Sequence, residues 1–207
     1  PIRVFNGGIG GDTAYDMNKR LDGDIFSKNP TVLMVTFGMN DSGYYEYNGD
    51  NAKEFGEQKY QESIKNFQQM EKRFKELPHT RIVMTGTSPY DETAQIKDNT
   101  VFKKKNETIK RIIEYQRESA ARNGWEFTDW NAPMVAINQE LQQKDPSFTL
   151  CGNDRIHPDN DGHMVMAYLF LKAQGFAGKD VANMEINANK KQAVKAEGCT
   201  ISNIKKI

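Results

Sequence analysis

The amino-acid sequence predicts an α/β fold built on a parallel sheet, and three observations carry that expectation. Short apolar runs alternate with longer stretches of helical periodicity, the order that βαβ units produce. The run at residues 31–37 (Thr-Val-Leu-Met-Val-Thr-Phe) is almost unbroken, as expected for a strand covered on both faces. Glycine- and asparagine-rich turns follow the apolar runs, at the carboxyl edge where open α/β sheets place their ligands.

Each element follows from its local pattern. Residues 2–5 (Ile-Arg-Val-Phe) read as a strand that stops at a Gly-rich turn, and residues 13–21 as a short helix capped by Asp12. After the strand at 31–37, Tyr60, Ile64, Phe67, Met70, Phe74 and Leu77 recur at three- and four-residue steps. That spacing marks an amphipathic helix, which Pro78 ends. A strand at 81–85, a loop at 86–100 and a helix at 101–123 come next, with Ile109, Ile112, Ile113 and Gln116 on the inner face and Gly124 as the stop. Residues 125–129 form the next strand, and 132–143 a helix with Pro133 in its first turn. A loop at 145–160 leads to a strongly apolar helix at 162–172. From Gly178 the texture changes to a strand at 181–186, a turn at 187–190 and a partner strand at 199–204. The expected division is therefore an α/β domain over 1–177 and the start of a β-like accessory segment over 178–207, cut short at Lys206-Ile207.

Composition narrows the function classes. A chain of 207 residues suits one α/β domain with a small appendage. Its hydrophobic fraction is 37% and its mean hydropathy −0.76, giving an adequate core under a strongly polar surface. Lys plus Arg and Asp plus Glu each count 28, so the chain lacks the electrostatic footprint of a nucleic-acid or anionic-membrane binder. The clusters Lys103-Lys104-Lys105 and Lys190-Lys191 read as solvated faces. No apolar run approaches the ~20 residues of a membrane span. Cys151 and Cys199 have no metal-type spacing and read as two free thiols, which leaves the compartment open. Oligomeric state is not encoded in any of these features.

Three runs carry chemistry. In Asn153-Asp154-Arg155-Ile156-His157-Pro158 the Asp-x-x-His spacing lets a carboxylate accept the imidazole Nδ1 proton and leaves Nε2 free as a base. The bland alternative is a turn aspartate beside an exposed loop imidazole. Gly38-Met39-Asn40-Asp41 places a side-chain amide just past a strand, where it can donate to a developing oxyanion or simply close an Asx turn. Asp41 reads as a loop-organising carboxylate. In Asn6-Gly7-Gly8-Ile9-Gly10-Gly11-Asp12-Thr13, the Gly11 N–H can approach a substrate closely. A nucleotide cradle fails there, because Thr13 stands where G-x-G-x-x-G needs its last glycine. A metal site from Asp154, His157, Asp159 and His163 matches no zinc spacing. Tyr44, Tyr45 and Tyr90 are candidate substrate contacts, since tyrosines beside the site suit stacking on sugar rings. A surface loop clasped by its own tyrosines is the equal alternative.

Taken in this order, the three runs resemble the SGNH (GDSL-type) hydrolase family of serine esterases over roughly residues 2–172. The resemblance implies a three-layer α/β/α domain of flavodoxin-like architecture, with His157 as catalytic base, Asp154 as its orienter, and Gly11 and Asn40 as the oxyanion hole. It implies no metal and no organic cofactor. The family's nucleophilic serine sits in a Gly-Asp-Ser block about one strand and helix ahead of the Gly-rich run. None of Ser27, Ser42, Ser63, Ser88, Ser119, Ser147 and Ser202 has that context, so the block is expected upstream of Pro1. The implied activity is hydrolysis of carboxylic esters, with acetylated saccharides as the favoured substrate. A secreted or periplasmic bacterial location goes with it. The rivals are a noncatalytic carbohydrate-binding protein on the same scaffold and a metal-dependent phosphoesterase.

Overall fold

A computed structural model describes residues 2–97 and 100–205; Lys206 and Ile207, and with them the expected cut end, lie outside the described residues. The chain forms two compact units, Pro1–Phe170 and Leu171–Ile207. The first unit carries the order α1 (Ala14–Arg20), β1 (Val32–Phe37), α2 (Ala52–Lys75), β2 (Arg81–Gly86), α3 (Lys105–Asn123), β3 (Glu126–Asp129) and α4 (Asn131–Leu141). Helix α5 (Asn160–Ala173) follows, and then β4 (Asn183–Asn187) and β5 (Gln192–Glu197).

The three strands of the first unit are parallel in the order β1-β2-β3, with Val32 opposite Arg81 and Val83 opposite Glu126. Two βα crossovers build this sheet, as the alternating pattern predicts. Leu33, Val35 and Phe37 of β1 and Ile82 and Met84 of β2 meet Ala14 of α1, Phe67, Met70 and Phe74 of α2, and Ile112 of α3 in one core cluster. A second cluster joins Trp130 and Met134 to Leu150, with Val165, Met166, Leu169 and Phe170 of α5 packed on it. The result is a mixed α/β architecture on a parallel sheet, as the alternating pattern predicts.

Several expectations are corrected. Residues 2–5 form no strand, and Ile2, Val4 and Phe5 are exposed; among the described residues no ladder lies beside them, and an apolar run cannot hold a strand without one. Strand β1 is not covered on both faces, because its burial alternates and Val32 and Met34 are nearly half exposed. The cap of α1 is Thr13, not Asp12: its hydroxyl accepts the Asp16 N–H, and the Asp16 carboxylate accepts the Thr13 N–H in return. Helix α3 begins at Lys105, after Lys104 has turned left-handed at φ 71°. The partner of β4 is β5, so 199–204 is not a strand. The second unit holds that hairpin, with a register shift between Glu185 and Ile186. No described helix is long and apolar enough to cross a membrane.

Candidate active site

The expected base and its orienter are in contact. His157 Nδ1 lies 2.6 Å from Asp154 Oδ2, and the second carboxylate oxygen accepts the backbone N–H groups of Ile156 and His157, each at 2.9 Å. Burial pushes the Asp154 carboxyl up, but the His157 ring and those two N–H donors outweigh it, and the net shift is down. An ionised carboxylate there fixes the proton on Nδ1 and leaves Nε2 as the basic atom. The His157 side chain is 79% exposed, so Nε2 is open to an incoming group.

What holds this loop is Arg155, between the two. It is buried, it adopts φ 69°, and its Nη1 donates to the carbonyls of Asp91 (3.0 Å) and Ala94 (2.8 Å) while its own carbonyl accepts the Asp91 N–H (3.1 Å). Arg155 thereby pins the loop to the segment that follows β2. Gly152 is equally constrained: φ is 68°, and a Cβ there would stand 2.3 Å from the His157 carbonyl oxygen. Neither residue was singled out from sequence. Nothing in a local pattern marks an arginine whose partners are about 60 positions away.

Asn40 lies three residues past β1. Its amide Nδ2 donates to the Asp12 carbonyl (3.1 Å), and its Oδ1 accepts the Tyr44 hydroxyl (2.6 Å). Asp41 does organise the turn: Oδ1 accepts the Ala14 N–H (3.0 Å) and the Ser63 hydroxyl (2.9 Å), and Oδ2 the Gly38 N–H (3.2 Å). Burial pushes its carboxyl up, against these donors. The Asn40 turn is thus tied directly to the Gly-rich run and to the start of α1. Arg20 braces that run from α1, through Asp12 (2.6 Å) and the Gly7 carbonyl (2.7 Å). Gly11 is exposed at φ 87°, with nothing within 4 Å of where a Cβ would point. A backbone left open in this way lets a substrate oxygen reach the N–H.

The Asn40 turn and the His157 loop share one underlying cluster. Met39, Tyr44 and Ile156 all pack on the core formed by Tyr47, Tyr90, Phe102, Ile109 and Ile113. Burial first, and then the Asp154 and Asp41 carboxylates, push the Tyr44 phenol up to about 12, so the charge of the histidine loop is felt at Tyr44. A shallow concavity of about 250 Å³ runs beside Asn40 and is lined by Thr13, Asp41 and Ser63 among others. A larger one, about 480 Å³, is lined by Lys53, Glu54, Glu57, Gln58 and Arg111 and shares none of these site residues.

The three tyrosines separate. Tyr45 is exposed and meets Phe102 edge-on, which leaves a ring face for a ligand. Tyr44 is half-buried with its hydroxyl committed to Asn40. Tyr90 is corrected to a core residue: it is buried, its hydroxyl accepts the Phe102 N–H and donates to the Thr100 carbonyl, and it offers a substrate no surface. Lys105 is likewise no solvated cation. It is buried, and its ammonium donates to Met39 O, Ser42 Oγ and Gly43 O at 2.5–2.7 Å. A signal for it existed, since Lys105 continues the inner stripe of Ile109, Ile112 and Gln116 at steps of four, three and four. Ser42 is occupied by Lys105 and by the Met39 carbonyl (2.8 Å), and Ser63 by Asp41. Cys151 and Cys199 are free thiols, the first buried and pushed up to about 12 by that burial. Among the described residues no three His, Cys, Asp or Glu side chains gather as metal ligands would, so Asp154, His157, Asp159 and His163 do not assemble into such a site.

Residues 1–165 match the model of the GDSL-like Lipase/Acylhydrolase family. The chain is 25% identical over 176 residues to an acetylxylan esterase of Geobacillus stearothermophilus, covering 84% of this chain and 73% of that protein. A crystal structure of acetylxylan esterase from the same organism is similar at TM-score 0.60 and 23% identity, over 82% of this chain and 70% of that one. A further acetyl xylan esterase structure is similar at TM-score 0.59 and 22% identity, over 80% and 78%.

Proposed function

Because the chain belongs to the GDSL-like lipase/acylhydrolase family of ester hydrolases, we propose that it is a serine-type esterase that removes acetyl groups from a saccharide. The observation that carries this reading is the His157–Asp154 contact at 2.6 Å, which leaves Nε2 exposed as a base. The nucleophile is assigned to the Gly-Asp-Ser block that the family carries ahead of the Gly-rich run. Among the described residues β1 is an edge strand of the sheet, and a strand bearing that block suits its open side.

The reaction then runs in two halves. The serine oxygen attacks the ester carbonyl carbon while His157 Nε2 takes the hydroxyl proton. The carbonyl oxygen gains the negative charge, and the Gly11 N–H and the second Asn40 amide N–H donate to it. The carbon–oxygen bond to the sugar breaks, and the alcohol leaves with the proton held on His157. Water then attacks the acyl-enzyme and gives its proton to His157. Collapse of the second tetrahedral adduct breaks the bond to the serine oxygen, which takes the proton back from His157, and the freed acetic acid ionises to acetate.

Support for a saccharide comes from the acetylxylan esterases among the relatives and from the exposed Tyr45 ring beside the site. A polymeric sugar substrate also favours a secreted or periplasmic location. The test is covalent labelling of the protein carrying its serine block with a fluorophosphonate, together with acetate release from acetylated xylo-oligosaccharides and from a matched long-chain ester. Labelling and a preference for the acetylated sugar are expected. Absence of labelling, with turnover lost on EDTA treatment, would overturn the serine mechanism in favour of the metal-dependent rival.

A further inference from the structure

We propose that Tyr44 and Lys105 form a positioning device for Asn40, in which a buried ammonium holds the tyrosine ring and the tyrosine hydroxyl fixes which way the amide faces. The inference rests on the reading of Asn40 as an oxyanion donor, and it adds a determinant of that donor's geometry.

An asparagine amide has two nearly isosteric ends, and only its nitrogen end can donate. At Asn40 both ends are specified. The Asp12 carbonyl can only accept, so it selects Nδ2 at 3.1 Å. The Tyr44 hydroxyl, protonated well above neutral pH, donates to Oδ1 at 2.6 Å. With one N–H on Asp12, the second is left over for a ligand. If Asn40 turned over, Oδ1 would face the Asp12 carbonyl oxygen, and the donor would be lost from the site.

Tyr44 in turn is clamped from two sides. Its ring meets Phe102 edge-on at 5.9 Å between centroids, and the Lys105 ammonium stands 3.8 Å from its ring centroid, within cation–π range. The same ammonium, through its bonds to Met39 O, Ser42 Oγ and Gly43 O, holds the backbone on both sides of Asn40. Three N–H donors meet three acceptors there. A buried lysine is costly, because desolvation disfavours its charge. Burial does pull Lys105 down to about 7, with the Asp41 and Glu92 carboxylates opposing it. A leucine or methionine would fill the same inner stripe of α3 without that cost. What the ammonium adds is the three-way tie on the Asn40 turn.

The experiment compares Tyr44→Phe, Asn40→Ala and the double variant in the protein carrying its serine block. Tyr44→Phe should lower kcat about tenfold with KM within about twofold, because the lost interaction matters at the oxyanion. In the Asn40→Ala background the same change should cost nothing further, since the amide it positions is gone. Lys105→Met should reproduce the Tyr44→Phe pattern where it folds. An independent arm uses 15N-labelled protein: the two Asn40 Nδ2 proton signals should shift and broaden in Tyr44→Phe. Unchanged amide signals, or costs that simply multiply in the double variant, would overturn the device. If the unaltered protein neither turns over an ester nor takes the fluorophosphonate, the esterase reading falls, and the amide signals still decide the positioning claim.

Discussion

In the proposed reaction the His157 loop and the Asn40 turn do complementary jobs, and the two are held in opposite ways. His157 is exposed, and the partner that orients it is three residues away in the same loop. Asn40 is set by groups from several elements: Asp12 before α1, Tyr44 beyond the turn, and Lys105 at the start of α3. A base must reach outward and move protons, so a short local leash serves it. An oxyanion donor must not reorganise as charge develops, and fixing it takes contacts from distant parts of the chain.

The sharpest way to break this comparison is His157→Ala. Turnover should fall by roughly 10⁶-fold, as for loss of the base in a serine hydrolase. Thermal unfolding should stay within about 2 °C of the parent, since an exposed side-chain contact contributes little to stability. A large drop in unfolding temperature would show that the ring carries structure as well as chemistry. Asn40→Ala should behave differently on both axes. Its kcat should fall ~10²–10³-fold. It should also lose about 1 kcal/mol of stability, because Tyr44 Oη and Asp12 O each lose a partner. Denaturant titration read beside steady-state kinetics checks both. A purely kinetic loss would mean that the amide is not part of the cross-tie.

The same contrast explains how far the sequence could be read. Asp154 and His157 were legible because their contact is encoded in a spacing of three. The strands at 32–37, 81–86 and 126–129 were legible because short apolar runs and their breakers are local too. Arg155 was missed and Lys105 misplaced, since each takes its role from partners that only the folded chain supplies. Lys105 shows the bias most clearly. Its charge suggested solvent, while its phase on α3 pointed inward, and the phase was the better guide. Residues 2–5 failed the other way: the pattern is that of a strand, but a strand exists only beside another.

Gly152→Ala tests the loop without touching a reacting group. The left-handed φ of 68° and the contact with the His157 carbonyl both oppose a side chain. The change should lower stability by about 2 kcal/mol. It should also lower kcat, because the displaced carbonyl belongs to the proposed base itself. Retained unfolding temperature with retained activity would mean that the loop relaxes freely and is less pinned by Arg155 than its burial implies.

The smallest expected effect is the acid dependence of the Asp154 contact. Its folded pKa lies below the ordinary 3.8, so the folded state holds this proton less readily than the unfolded chain does. By linkage, the stabilisation is fully present above the unfolded value and is lost as pH falls through the lower, folded one. Half-exposure of the carboxylate keeps the contribution small. Asp154→Asn removes it, so parent and variant should differ by about 1–3 °C in Tm near pH 6 and converge as pH falls through the folded value. Only carboxylate linkage predicts that convergence, whereas a packing defect caused by the substitution would persist at every pH. A gap that widens on acidification would reverse the sign and place the charge of Asp154 on the destabilising side. The loop would then be held by Arg155 alone, and the histidine would owe its orientation to something other than its neighbour.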